Sequence, residues 1–221
     1  MLFLHDVHAA IGEHEIDLDE AVRDVYAPSI ADDDARLAWY LYATHGAGDG
    51  YFVTVITALR DGAAWERLSR RLRYGDLADW LLDVDRLTYS SESTLLVATD
   101  WSPAADLDFD SLPVGAVDQD VRVFREDTLA GPEIEGAIAV PKGADGDVLE
   151  CVAGFRPFFA PTNEAPEVTV LYRVASADAL ESAYAADAGW GDWAGSLTPT
   201  LPDGVHGSTR MLRNVPWSPL A

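Results

Sequence analysis

The sequence predicts an α+β chain made of two successive β-α-β-β-α-β modules, and three observations predict it. Through the first hundred residues, apolar patterning switches between the two-residue alternation of strands and the helical period in that order. Caps and turn residues fall at the junctions between these segments. A stretch of the first half then recurs in the second half at a nearly constant offset. The expected division is 1–104 for module 1, 105–120 for a linker and 121–221 for module 2.

Residues 2–11 (LFLHDVHAAI) read as a strand. Asp17 offers a helix N-cap, with Glu20 three residues on as in a capping box. Leu18, Ala21, Val22 and Val25 follow at helical spacing, and Ile30 extends the stripe. Pro28 and the acids after it are expected to end that helix, because acids sit badly at a helix C-terminus. Residues 36–45 (RLAWYLYATH) and 51–60 (YFVTVITALR) read as strands joined by the Gly-rich turn 46–50. Asp61 caps a second helix whose apolar face is Ala64, Trp65, Leu68 and Leu72; Gly75 interrupts it, and Leu77, Trp80, Leu81 and Val84 resume the pattern. Residues 94–101 (TLLVATDW) close the module as a strand, which completes the ferredoxin-like order.

The Pro- and Asp-rich segment 102–120 lacks periodicity. Strands are then expected at 121–129, 148–159, 167–175 and 208–217, with a capped helix over 176–186. The segment 132–146 is interrupted by Gly and Pro, so any helix there is short. Residues 53–68 (VTVITALRDGAAWERL) align without gaps to 168–183 (VTVLYRVASADALESA), and Trp101-Ser102-Pro103 recurs as Trp217-Ser218-Pro219. An internal duplication explains both matches. A four-stranded sheet with helices on one face must have its other face covered. The expectation is that the two sheets pack face to face as a pseudo-dimeric α/β barrel within one chain, with a pocket between them.

Composition narrows the function classes. The chain has 221 residues and a net charge of −23, with 26 Asp, 12 Glu, 14 Arg and the single lysine Lys142. A GC-rich genome and adaptation to high salt both give this pattern. Such acidity argues against general nucleic-acid binding, which depends on Lys and Arg neutralising phosphates. No apolar run reaches the ~18 residues of a membrane span and no charged segment opens the chain, so a cytoplasmic protein is expected. One cysteine, Cys151, permits no internal disulfide, and its strand position suggests an inert thiol.

The two endings, Leu95 to Pro103 (LLVATDWSP) and Met211 to Leu220 (MLRNVPWSPL), carry a family resemblance. Each half resembles a module of the dimeric α/β-barrel superfamily, most closely its NIPSNAP-like branch, whose modules similarly close with a strand running into an aromatic-Ser-Pro. Trp80 and Trp193 resemble the tryptophan of the preceding helical segment. The second half departs from the pattern, since its first helix is eroded and 187–207 is Gly- and Pro-rich. The resemblance implies a menu that includes cofactor-independent monooxygenases, isomerases and cyclases, haem-using enzymes and proteins of unknown role. Fold alone does not choose among them.

Candidate residues follow from strand geometry. His5 and His8 lie on opposite faces of the first strand, so only one can enter a barrel. His45 ends the second strand beside the Gly-rich turn. With Tyr42, these histidines are the candidate acid–base groups for an acidic phenol or an enolisable carbon. Tyr40, Tyr42 and Thr44 share one face and read as a pocket wall, whereas Trp39, Leu41, Ala43 and His45 read as the face beneath the helices. Trp39 is kept as a substrate-binding candidate, and Arg156, Tyr172 and Arg173 interrupt apolar strands where they could bind a carboxylate or phenolate. Each of these also has an ordinary core or surface reading. The cluster Arg67, Arg70, Arg71 and Arg73 reads as paired with nearby acids.

His5-x-x-His8 cannot chelate from one strand face, and no metal site is expected. No Gly-x-Ser-x-Gly, phosphate loop or Gly-x-Gly-x-x-Gly occurs. The expected function is oxygenation, isomerisation or cyclisation of a ring-containing or terpenoid-like hydrophobic metabolite by acid–base catalysis, with no bound cofactor. The alternative is a non-enzymatic protein that binds a hydrophobic or aromatic metabolite. A monomer suffices for the expected barrel, and a homodimer is possible.

Overall fold

The computed structural model describes residues 1–31, 34–45, 50–132, 134, 148–159, 166–186 and 204–221. The chain divides into two compact units. Unit 1 comprises Met1–Val97, Leu107–Val121 and Arg213–Ala221, and unit 2 comprises Ala98–Asp106 and Arg122–Leu212. Both are α+β with antiparallel strand pairing.

In unit 1 the strands are β1 (Leu2–Ala10), β2 (Ala35–Ala43), β3 (Phe52–Leu59) and β4 (Thr88–Ala98), in the order β4-β1-β3-β2. Helices α1 (Glu15–Glu20), α2 (Ala27–Ile30), α3 (Gly62–Tyr74) and α4 (Ala78–Leu87) cover one face of this sheet. Leu18, Val22, Tyr26 and Ile30 interlock there with Val53, Val55 and Leu59 of β3 and with Leu68 and Val84. Burial of each such side chain stabilises the unit by roughly 1.5–3 kcal/mol. The Tyr26 and Trp80 rings stack at 4.5 Å, and the Trp80 indole donates to the Ala21 carbonyl.

Three details differ from the sequence expectation. The first helix starts at Glu15, so Asp17 is not its cap but lies in the first turn, accepting from His14 Nδ1 at 2.9 Å. Pro28 does not end the helix. A π-helical stretch, Ala21–Tyr26, precedes it, and Pro28 sits in the opening turn of α2, where its missing N–H costs little. Strand β4 begins at Thr88, because the exposed, polar Ser90, Ser91 and Ser93 pair with β1 although they carry no apolar alternation. The second helix starts as expected: the Asp61 carboxylate accepts from the Ala64 amide at 2.8 Å.

In unit 2 the strands are β5 (Val123–Ala130), β6 (Leu149–Pro157), β7 (Glu167–Val174) and β8 (His206–Asn214), in the order β8-β5-β7-β6; the last two residues of β8 belong to unit 1. Helix α5 (Ala177–Ala186) packs Leu180 onto Leu149, Val168, Val170, Tyr172 and Val174. Residues Leu107–Val121 pack within unit 1. Phe109 is buried there beneath the guanidinium groups of Arg60 and Arg36, at 4.3 and 5.1 Å from its ring centre. Asp32 and Asp33, residues 46–49 of the Gly-rich turn, most of 132–146, and 187–203 with Trp193 lie outside the described residues.

The two units share particular features. The 115-residue offset read from the sequence also joins Phe52 to Glu167 and Gly62 to Ala177, the first residues of β3 and β7 and of α3 and α5. Ser176 caps α5 through the Ala179 amide as Asp61 caps α3. The second strand of each sheet carries a bulge at the same place. Ala38 is extra between the pairs Leu37↔Thr57 and Trp39↔Ile56, and Val152 is extra between Cys151↔Tyr172 and Ala153↔Leu171.

The Trp-Ser-Pro endings repeat one hydrogen-bonding role. In unit 1, Ser218 Oγ accepts from the Tyr40 amide of β2 at 3.1 Å. In unit 2, Ser102 Oγ accepts from the Gly154 amide of β6 at 2.8 Å and from Ala104 at 3.1 Å. Trp217 lies against Tyr40, with ring centres 4.8 Å apart. Trp101 lies so close to Gly154 that a Cβ there would clash with its ring.

Candidate functional site

The bulge at Ala38 decides which side chains of β2 face where. Up to Leu37 the alternation is in phase with the start of the strand; after Ala38 it inverts. Tyr40 and Tyr42 therefore face the helical layer, and Trp39 and Leu41 lie on the other face, both buried. This reverses the assignment made from simple alternation. Tyr40 and Tyr42 nevertheless line an opening, on the side of β2 that faces α1.

A groove of about 300 Å³ lies there within unit 1. Its walls are Glu15, Ile16 and Asp19 of α1, Tyr40, Tyr42 and His45 from β2 and its end, and Arg213 and Val215 from the chain's final segment. The guanidinium carbon of Arg213 lies 4.4 Å from the centre of the Tyr42 ring. Arg213 Nε is buried without a hydrogen-bond partner among the described residues. Tyr42 is half-buried and its hydroxyl is pushed above its ordinary pKa, chiefly by burial, with Arg213 acting in the opposite sense and Glu15 and Asp19 adding to the rise. Burial also raises the Asp19 carboxyl, while the Trp217 indole N–H at 3.1 Å and Arg23 at 3.5 Å hold it down. His45 is exposed at the groove's edge.

The remaining candidates lie elsewhere. His5 is buried on the face of β1 away from the helices, beside Phe3. His8 is buried on the helical side, its Nδ1 2.8 Å from Ser91 Oγ, and burial lowers its pKa to about 4, so it is neutral at pH 7. Thr44 is half-buried, and its buried hydroxyl oxygen has no partner among the described residues. In unit 2 the three candidates do not converge on a pocket. Tyr172 sits in the core against the helical layer, with its hydroxyl pushed well up by burial. Arg173 pairs with Glu150 of the neighbouring strand, its Nε 3.1 Å from Oε2. Arg156 is exposed on β6. Cys151 is half-buried, and burial pushes its thiol up to about 11, so little thiolate forms near pH 7. Three of the four arginines of α3 pair as expected, Arg67 with Asp34, Arg70 with Glu66 and Arg71 with Asp76, whereas Arg73 is exposed with no acid partner among the described residues.

An acid recurs at the matching strand position of both units, half-buried in unit 1 and buried in unit 2. Asp6 pairs with Val55 in register and hydrogen-bonds the Ser93 side chain; Asp127 pairs with Val170 in register and accepts from Thr209 Oγ1 at 2.7 Å. Their surroundings differ. Arg125 Nε donates to Asp127 at 2.9 Å, whereas apolar Leu4 takes the matching position beside Asp6. Burial accordingly raises the Asp6 pKa to about 6. Sequence reasoning missed Arg213, Glu15 and Asp19 at the groove and the Arg125–Asp127 pair. The one available signal for Arg213 was an arginine inside the largely apolar ending MLRNVPW. No cluster of three or more metal-ligating side chains occurs among the described residues.

Each unit has the ferredoxin-like strand order, β4-β1-β3-β2 in one and β8-β5-β7-β6 in the other, and solved structures share the fold. The chain is similar over 97% of its length to 91% of an anthrone oxidase-like protein, at 12% identity and a TM-score of 0.54. Over 96% of its length it is similar to 91% of a putative monooxygenase from Fusobacterium nucleatum, at 9% identity and a TM-score of 0.51. A NIPSNAP domain protein from Burkholderia xenovorans matches 46% of this chain with 97% of its own, at 18% identity and a TM-score of 0.37. No family model matches the chain, and no curated protein matches it. No helix among the described residues is long and apolar enough to cross a membrane.

Proposed function

We propose that the chain is a small-molecule enzyme that acts on a ring-containing metabolite by acid–base chemistry, with the groove of unit 1 as its site. The observation that carries this reading is the meeting of three groups in one opening: the Arg213 cation stacked on Tyr42, the Tyr40 ring and the exposed His45. An imidazole at the rim is suited to removing a proton from a phenol or an enolisable carbon. The resulting phenolate or enolate would be stabilised by the fixed positive charge of Arg213. Isomerisation or cyclisation needs nothing further; oxygenation would use dioxygen as the oxidant. The similar structures named anthrone oxidase-like and monooxygenase support this reaction class through fold alone.

The test is metabolite turnover by the full chain, followed by mass spectrometry, for wild type and His45→Gln. Loss of about 10²-fold or more in kcat with KM little changed fits general-base catalysis. Unchanged turnover in His45→Gln excludes His45 as the base.

A second reading is a ligand-binding protein that uses the same groove without chemistry. The favouring observation is that no side chain among the described residues hydrogen-bonds His45 to orient it, unlike His8 with Ser91 or His14 with Asp17. Tight binding of a metabolite that the protein returns unchanged would establish this reading.

A further inference from the structure

We infer that the groove selects a planar aromatic ligand with one anionic oxygen at one end and a hydrogen-bond donor at the other. This deepens the proposed function, resting on the same site, and concerns what the site accepts, whether or not it then transforms it.

Three observations carry the inference. First, Arg213 has no carboxylate partner among the described residues, although this chain has 38 acidic residues and Arg23, the arginine that contacts the groove's Asp19, also contacts Glu20 and Asp24. A half-buried guanidinium without a counter-charge is costly, and a carboxylate or phenolate supplies the missing partner. Second, the part-exposed Tyr42 ring and the side chains of Ile16 and Val215 line the space between the charged groups, backed by the buried Tyr40 ring. They offer flat apolar contact to an aromatic ring. Third, Glu15 and Asp19 enter the groove from α1, so the charge across it is asymmetric. Carboxylates accept hydrogen bonds and repel a second anion. The ligand therefore presents its anion to Arg213 and a hydroxyl or amino group to α1. A volume of about 300 Å³ is at the low end for small-molecule sites and suits a compact ring system.

The experiment is a binding series by calorimetry on the full chain, using four probes of one ring size: naphthol, naphthoate, a hydroxynaphthoate with its two groups at opposite ends, and the corresponding naphthalene dicarboxylate. Hydroxynaphthoate is expected to bind tightest, naphthoate next, and the dicarboxylate at least about tenfold more weakly than naphthoate. Arg213→Met is expected to weaken both monoanions by about tenfold or more while leaving neutral naphthol unchanged. Glu15→Gln is expected to restore the dicarboxylate. Thermal melts of both variants verify that they fold, and Arg213→Lys is the conservative comparison should Arg213→Met not fold. Equal affinity for all four probes, unchanged monoanion affinity in Arg213→Met, or no binding of any probe overturns the inference. The rank order without any metabolite turnover overturns only the catalytic reading. Turnover of a metabolite with no such rank order overturns only this one.

Discussion

The guanidinium of Arg213 stacks 4.4 Å from the Tyr42 ring while its Nε, shielded from solvent, has no acceptor among the described residues. An arginine used purely for structure would be expected to have its donors filled. An unfilled buried donor is a local cost to stability. Arg213→Met, which keeps the stacking bulk and removes the charge, is therefore expected to leave the free protein as stable as wild type or to raise its stability by up to about 1 kcal/mol. Chemical denaturation without ligand measures this. A loss above about 2 kcal/mol would mark Arg213 as a structural residue.

Asp6 and His8 share one face of β1 and titrate in opposite senses. The folded-state pKa of Asp6 is raised from 3.8 to about 6, so between these values the folded state holds more protons than the unfolded chain and this group's contribution to stability falls as pH rises. For His8 it is lowered from 6.5 to about 4, so the unfolded chain holds more protons in that window and stability rises with pH. The two slopes oppose each other across nearly the same range. Asp6→Asn is expected to expose a rise in stability from pH 4 to 6.5, and His8→Gln a fall from pH 4 to 6, each on the order of 2–3 kcal/mol. Denaturant midpoints across pH 4 to 7 test this, and parallel profiles for the two variants would refute it.

Ser102 and Ser218 each accept a buried backbone amide of the neighbouring strand, Gly154 in one unit and Tyr40 in the other. Replacing either with alanine leaves that donor without its acceptor and is expected to destabilise the protein by about 1–3 kcal/mol. Calorimetric melting of the single variants checks the figure. A change within error of zero in either variant would show that water replaces the hydroxyl at that ending.

Gly154→Ala tests the fit of Trp101. A methyl group there clashes with the indole ring, and the expected cost is about 1–3 kcal/mol of overpacking. Combining it with Trp101→Leu is expected to cost less than the two single changes added together, because the smaller side chain removes the clash. Strict additivity in the double-mutant cycle would show that the tryptophan moves aside freely.

Much of the framework was legible because it rests on local chemistry. The Asp61 cap, the Val-Thr-Val strand starts and the Trp-Ser-Pro endings each leave a mark in sequence, and β3, β7, α3 and α5 begin where those marks place them. The facing of Tyr40 was not legible. The run Leu37-Ala38-Trp39 is apolar throughout, and an unpaired alanine within it has no side-chain signature, so simple alternation gave the wrong phase beyond it. Tyr40, Tyr42 and His45 stood out by chemical type and do line one groove. Their partner Arg213 comes from the far end of the chain, and only tertiary structure brings it there. Arg125 and Asp127 were hidden for a different reason: in VFREDTL, charges on alternate positions look like a solvated strand face, yet both side chains are buried against each other.

The single unpaired residues Ala38 and Val152 occupy matching rungs, opposite Thr57–Ile56 and Tyr172–Leu171. A bulge works as a phase switch, exchanging the inward and outward roles of every residue that follows it on its strand. Since both hairpins switch at the same rung, their backbones are compatible as interchangeable cassettes, even though the connection after Pro157 is one residue longer than the one after Ala43. A chimera carrying 149–174 in place of 35–59 would therefore keep its register, whereas deleting Ala38 alone would turn Tyr40 and Tyr42 to the other side of the sheet and close the route by which Arg213 meets them.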